Sequence, residues 1–297
     1  MGIAFARHLM YLGQRNPSKD GAVMITLKGW EYAAPIKVSG PDDGCNFYHW
    51  MDLPAFPSTT AYITVPGVWD LRGRFSDYIG GVDIRGKSVL DVGTATGWIS
   101  FEAERHGAAQ VVGLDMADDV KPQHVPYVTF VDRDRPQQEQ PASIPRVPPS
   151  IRRAYWLCHS RYASSAKVVY GDVHKVADHI SGADIVIVGQ ILVHQRDPLN
   201  ALWHCARAAD DTLIIAEGSF ESDTALMHFG GVNGNYYSWF LLSSGMYIQY
   251  LKILGFEVRS ITKNKYHCTH VDASPEMEVW TYVAKRVGPT LGRPPNL

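Results

Sequence analysis

The chain has 297 residues, 45% apolar and 20% charged, the balance of a globular protein with room for one large α/β domain and an extension. Lys and Arg number 28 against 30 Asp and Glu, a formal net charge of −2. That near-neutrality argues against a nucleic-acid binder, which presents a basic surface, and no stretch is long and apolar enough to span a membrane.

At the start, MGIAFARHLMYLG resembles a leader only superficially. Arg7 and His8 interrupt its apolar run, no small-residue cleavage site follows, and Ala6 fails the myristoylation pattern. Residues 1–85 are irregular, with scattered Pro, Gly and aromatics, and read as an N-terminal extension that wraps its neighbour. From Lys87 the texture changes. KSVLDVG reads as a buried strand, TGWISFEAERHG as a helix stopped by Gly107, and AQVVGLD as the next strand. The Pro-rich stretch 121–149 reads as a lid or insertion. Ser150 caps a predicted helix, IRRAYWLCHSRYA, which leads into the strand KVVYGD.

ADIVIVGQ is continuously apolar, as a strand covered on both faces should be. The helix PLNALWHCARAA and the strand TLIIAEG follow. After an aromatic loop, GGVNGNYYSWF, come the helix SSGMYIQYLKIL and two strands, FEVRSITKN and EMEVWTYVAKR, of a length to pair antiparallel. Residues 287–297 read as a tail. The alternation implies an α/β fold with a Rossmann-like, mostly parallel sheet and an antiparallel C-terminal strand, spanning 86–286. Cys45, Cys158, Cys205 and Cys268 lie far apart without a CxxC pair, so no metal is expected and reduced thiols in the cytoplasm are the simplest reading.

The strongest local signal is the strand-to-helix turn Asp91-Val92-Gly93-Thr94-Ala95-Thr96-Gly97. Open α/β sheets bind ligands at the carboxyl ends of their strands, near the first such turn. Asp115, beside Met116, ends the next strand, where an acid reaches both hydroxyls of a ribose. A dinucleotide site would put a pyrophosphate on GxGxxG, where a preceding carboxylate repels it. Here Asp91 precedes a GxxxG spacing, which suits the cationic methionine end of S-adenosylmethionine (SAM), with S-adenosylhomocysteine as product. Asp172 and Val173 end a third strand, placed for the adenine amino group. Gly189 and Gln190 end the central strand, where the transferable methyl would lie.

Together these pieces resemble the methyltransferase family related to the tRNA wobble-uridine modifying enzymes, in its small-molecule, biosynthetic branch. The resemblance rests on Phe47-Tyr48-His49-Trp50-Met51-Asp52-Leu53-Pro54, Val65-Pro66-Gly67-Val68-Trp69-Asp70-Leu71-Arg72, the glycine turn, Arg105-His106-Gly107-Ala108, His194-Gln195-Arg196-Asp197-Pro198 and Gly255-Phe256. It covers roughly residues 45–285. The chain departs from the pattern at Ala95, where many methyltransferases have Gly, and at Trp239-Phe240-Leu241-Leu242-Ser243, which lacks a Pro-Asn pair. It also lacks the large basic N-terminal domain expected for gripping tRNA.

The resemblance implies that the N-terminal segment covers the site, with Tyr48 and His49 as catalytic candidates and Trp50 as an acceptor contact or a core residue. His194, just past the central strand, is either a general base or a structural histidine bonding its own turn. Arg72 is a candidate partner for a carboxylate of SAM or acceptor. Tyr236, Tyr237 and Trp239 are candidate pocket walls or core. The reading is a SAM-dependent methyltransferase acting on O, N or S of a small metabolite, an amino-acid-like thioether such as methionine included. The alternatives are a tRNA wobble-uridine modifying enzyme, gripping RNA through Arg152, Arg153 and the Lys263–Lys265 stretch, and a non-catalytic nucleotide-binding protein.

Overall fold

A computed structural model describes residues 24–55, 61–121, 123, 125, 149–231, 237–269 and 276–289. Most of the expected lid (126–148), residue Tyr236 and positions 290–297 of the tail lie outside the described residues. The N-terminal part supplies β1 (Thr26–Leu27), β2 (Met51–Pro54), β3 (Tyr62–Val65), β4 (Trp69–Asp70) and the one-turn helix α1 (Phe75–Tyr78). Then come β5 (Ser88–Val92), α2 (Trp98–Arg105), β6 (Gln110–Met116), α3 (Pro149–Arg161), β7 (Lys167–Gly171), α4 (Val176–His179), β8 (Ile180–Ser181) and β9 (Ala183–Gly189). The rest is α5 (Pro198–Ala208), β10 (Ala209–Glu217), the short strands β11 (Ser219–Phe220), β12 (Met227–Phe229) and β13 (Phe240–Ser243), α6 (Ser244–Ile253), β14 (Phe256–Cys268) and β15 (Glu276–Arg286).

The eight-stranded central sheet runs β4-β14-β15-β10-β9-β5-β6-β7. Strands β10, β9, β5, β6 and β7 are parallel neighbours, and β15 lies antiparallel between β10 and β14. This is the Rossmann-like methyltransferase sheet that the sequence implies, with the C-terminal strand antiparallel. Strand order reverses between β5 and β9, so the crevice for a ligand opens over their carboxyl ends. All five residues of β5 are buried, Asp91 included, as a strand covered on both faces requires.

Two apolar layers flank the sheet. One joins α2 and α3 (Trp98, Phe101, Tyr155, Trp156) to the N-terminal residues Phe47, Met51, Leu53, Leu71, Phe75 and Tyr78. The other packs Leu202, Cys205, Tyr247 and Leu251 of α5 and α6 beneath β9 and β10. The N-terminal part therefore shares the core of the sheet, and β4 adds itself to the sheet edge through His267 and Cys268 of β14. Helix starts follow capping chemistry: the Asp197 carboxylate accepts the Asn200 N–H at 3.0 Å ahead of Pro198, and Ser243 Oγ accepts that of Met246 at 3.1 Å. Around the expected aromatic loop, the short strands β11, β12 and β13 form a three-stranded sheet in the order β11-β13-β12. Its two- to four-residue strands are too short for an alternating pattern to stand out.

Gly97 begins α2 in the left-handed region at φ +86°, and a Cβ there would overlap the rings of Phe101 and Tyr155. Backbone strain and overpacking then add. Gly97→Ala should lower unfolding stability by ~2–4 kcal/mol in a urea titration. A loss under about 0.5 kcal/mol would mean that the turn relaxes freely.

Candidate active site

A cavity opens over the carboxyl ends of β5, β6 and β9. Its walls include Gly93, Ala95, Asp115, Gly189, Gln190 and His194 from the strand ends, and Tyr48, His49, Trp69, Leu71 and Tyr78 from the N-terminal part. Sequence segments more than 140 residues apart thus meet in one place.

On the strand side, the turn after β5 is tied to β6. Gly93 and Thr94 donate their N–H groups to the Leu114 carbonyl, at 2.8 and 3.0 Å. Ala95 donates to Asp115 Oδ2 at 2.8 Å, and the Met116 N–H donates to Asp115 Oδ1 at 2.7 Å. Asp115 is thereby fixed with each oxygen holding one backbone bond and lone pairs to spare, facing the cavity, while burial raises its pKa. Ala95 adopts φ +46°, a left-handed conformation usual for Gly. Gly93 stands at φ +87°, and a Cβ on it would collide with the Cγ2 methyl of Ile191 from the turn after β9. The bare backbone is what lets the two strand ends close on each other.

Asp91 is fully buried. Its Oδ2 accepts the Ser100 hydroxyl at 2.7 Å, Oδ1 has no hydrogen-bond partner, and burial pushes its pKa up to about 6. An orphaned acceptor two residues before a bare glycine turn fits a group that brings an ammonium or an ordered water. Asp115, with lone pairs to spare, and the bare Gly93 turn line the same cavity, a set of acceptors and open backbone that fits the hydroxyls and ammonium of SAM. Among the described residues, no group of three or more His, Cys, Asp or Glu could hold a metal ion.

On the acceptor side, His49 is 6% exposed and pinned to the glycine turn. Thr96 Oγ1 accepts the His49 amide N–H at 3.2 Å and lies 2.9 Å from Nδ1. The hydroxyl can accept the amide and donate to Nδ1 at once, the pairing that leaves the ring proton on Nε2. Burial lowers the His49 pKa to about 3. The Tyr48 hydroxyl accepts Trp69 Nε1–H at 3.3 Å, and burial raises its pKa. Tyr78 brings its phenol against Gly189, whose missing side chain makes the room. His194 Nδ1 lies 2.8 Å from the Tyr237 carbonyl, which assigns the ring proton to Nδ1 and the lone pair to Nε2.

Other expected residues stand outside this wall. Arg72 is held by carboxylates of its own chain: Nη1 lies 2.7 Å from Asp52 Oδ1, and Nε and Nη2 each 2.8 Å from Asp70. Its guanidinium covers the Trp50 ring at 5.1 Å, so both residues build a scaffold behind the cavity rather than its lining. Asp172 and Val173 directly follow β7, with the Asp172 carboxylate taking the His174 N–H at 2.9 Å. The hydrogen bond from His174 lowers the Asp172 pKa. Tyr237 is exposed, and Trp239 Nε1 donates to the Gln123 carbonyl at 2.6 Å.

Three contributors escape the sequence reading. Tyr78 lies in RFSDYIGG, which offers no motif. Ile191 looks like one more apolar residue. Glu217 carried a signal: it ends the apolar strand TLIIAEG, the same position that singled out Asp115 and Asp172.

No family model matches the whole or part of the chain. A 61-residue stretch is 44% identical to the ubiquinone biosynthesis O-methyltransferase of Neisseria meningitidis serogroup C, covering 17% of this chain and 26% of that protein. The chain thus matches only about a quarter of the length of that curated relative. Among solved structures, the magnesium protoporphyrin IX methyltransferase of Synechocystis PCC 6803, with bound S-adenosylhomocysteine, is similar at 15% identity and TM-score 0.45, over 71% of this chain and 80% of that one. A SAM-dependent methyltransferase of Methanosarcina mazei is similar at 13% identity and TM-score 0.47, over 73% and 99%.

The His49 assignment is open to direct test. Its ring should stay neutral throughout pH 5–8, giving constant ¹⁵N shifts with protonated Nε2, its signal identified by His49→Gln. A midpoint above pH 5 would show that the ring is not sealed behind Thr96.

Proposed function

We propose that the chain is a SAM-dependent methyltransferase acting on a small acceptor enclosed beneath its N-terminal segment. The observation that carries this reading is the composition of one cavity: a ribose-type acid on a bare glycine turn at one side, and a histidine with a cover of Tyr48, Trp69 and Tyr78 at the other. Aromatic walls exclude water and fix a small ligand, and near-attack positioning of two reactants supplies roughly 7–11 kcal/mol toward the barrier. We assign residues 1–85 to the cover, 86–286 to the SAM-binding domain with its insertion at 121–149, and 287–297 to the tail, in a small-molecule branch of the wobble-uridine-related family. A cytoplasmic setting accords with the four free thiols.

When bound, SAM supplies an electrophilic methyl on a sulfonium. Around it, Asp115 takes the ribose hydroxyls, Met116 and Val173 flank the base, and Asp172 takes the adenine amino group. Gly93, Thr94, Ala95, Thr96 and Gly97, with Asp91 beneath, hold the methionine end. Gly189 and Gln190 face the reacting carbon. His194 Nε2 receives the proton of a hydroxyl or amine acceptor, a step worth about 10²–10⁴-fold. A thioether acceptor has no proton to lose and leaves His194 an orienting role. His49, neutral and donating through Nε2, orients the acceptor and does not act as base. The partial identity to an O-methyltransferase favours oxygen as the acceptor atom.

The tRNA reading is less well supported. Of the cations it needs, Arg152 bonds the Met116 carbonyl and pairs with Asp118, Arg153 pairs with Asp43, and Lys263 pairs with Glu221. A cation already neutralised releases no counterions from a phosphate backbone.

Calorimetry should show binding of SAM and S-adenosylhomocysteine but not NAD. Asp115→Asn should weaken SAM by ~1–3 kcal/mol, and Gly93→Val should abolish binding. Labelled SAM incubated with fractionated cell extract should methylate a ribonuclease-resistant small product, at a rate that His49→Ala lowers far more than it lowers SAM affinity. NAD binding in place of SAM, or a labelled product destroyed by ribonuclease, would refute the proposal.

A further inference from the structure

Glu217 is 1% exposed at the carboxyl end of β10, in register beyond the Ala216–Gly189 pair of β10 and β9. Its Oε1 accepts two consecutive backbone N–H groups, Ile191 at 2.7 Å and Leu192 at 2.8 Å, while Oε2 is buried with no partner. These two amides open the turn that carries the site. Gln190 precedes them in a strained left-handed conformation at φ +53°, Ile191 fills the space above Gly93, and His194 closes the one-turn 3₁₀ helix Leu192–His194. A 3₁₀ turn this short has no internal ladder to hold it, so its geometry depends on what anchors its first amides.

We propose that Glu217 is a positioning residue: it clamps the His194-bearing turn against β5, and the clamp tightens when its carboxyl loses a proton. An ionised carboxylate makes shorter and roughly twice stronger bonds to N–H donors than a neutral one. The opposing cost is burial, which pushes the Glu217 pKa up to about 8, so both states are populated at moderate pH. Tyr48, Tyr78, Cys205 and Tyr247 feel its charge and are kept neutral by burial, and among the described residues no salt bridge pairs a cation with it. A proton gained or lost at Glu217 is therefore passed on mainly through the two amides. Because the folded-state pKa is raised, the fold holds its proton more tightly than the unfolded chain. Stability then falls as pH rises from the ordinary glutamate range to about 8 and is level above it.

The experiment uses ¹⁵N-histidine-labelled full-length protein without cofactor or acceptor, so its outcome is independent of the methyltransferase reading. His194→Gln identifies the ring signal. In the wild type, the His194 shifts should show a step with a midpoint near pH 8, separate from the titration of the ring itself. Glu217→Gln, which keeps an oxygen for both amides but cannot ionise, should lose that step and flatten the fall of the urea midpoint between pH 5 and 8. Glu217→Ala, where it folds, should mix the two ring tautomers. A wild-type ring without the step, a step that survives in Glu217→Gln, or unchanged His194 shifts in folded Glu217→Ala would each overturn the proposal.

Discussion

The site depends on one contact that exists because an atom is missing. Gly93 has no Cβ, and the Ile191 side chain from the turn after β9 occupies the space where one would be. Two strand-end turns, joined to neighbouring strands of the sheet, are thereby interlocked at the switch point where such sheets accept ligands. On one side the interlock fixes the Gly93–Gly97 turn, and with it the amide that Ala95 gives to Asp115. On the other side it fixes the approach of Leu192 to His194, which Glu217 anchors from below. A wider or narrower gap at this point would displace Asp115 and His194 together.

Besides the edge strand β4 that it adds to the sheet, the N-terminal segment joins the same arrangement through hydrogen bonds. Thr96, inside the glycine turn, holds both the amide and the ring of His49, and the Trp50 N–H bonds the Trp69 carbonyl at 2.8 Å. Trp69 in turn donates to Tyr48. The aromatic cover is thus referenced to the residues beneath it, and the Arg72 fork braces it from outside between Asp52 and Asp70. The arginine is easy to read as a ligand contact because its geometry suits carboxylates. In the folded chain those carboxylates are its own.

Much of the sheet was legible because the buried parallel strands are largely apolar runs that end in a glycine or a polar residue. KSVLDVG, AQVVGLD, KVVYGD and ADIVIVGQ mark four strand ends in this way, and three of them contribute cavity walls. The small sheet β11-β13-β12 was not legible, since strands of two to four residues carry no period. Nor were the roles of Arg72 and Trp50, which depend on pairings across β2, β3 and β4 that no local pattern announces. Glu217 was visible as a strand-end acid. Its function lies in the backbone of a distant turn, and backbone amides leave no mark in a sequence.

The antiparallel edge of the sheet has a different bearing. Strand β14 runs for thirteen residues, yet among the described residues β4 pairs with only His267 and Cys268 at its far end. The remaining backbone is a template on which another chain could build a sheet. Glu257, Arg259, Lys263 and Lys265 stand exposed along it, and burying them against a second strand would strip water from their charges. The Lys263–Lys265 stretch that reads as a basic patch for nucleic acid thus also stands along an open strand edge, where charged side chains oppose pairing with a second strand.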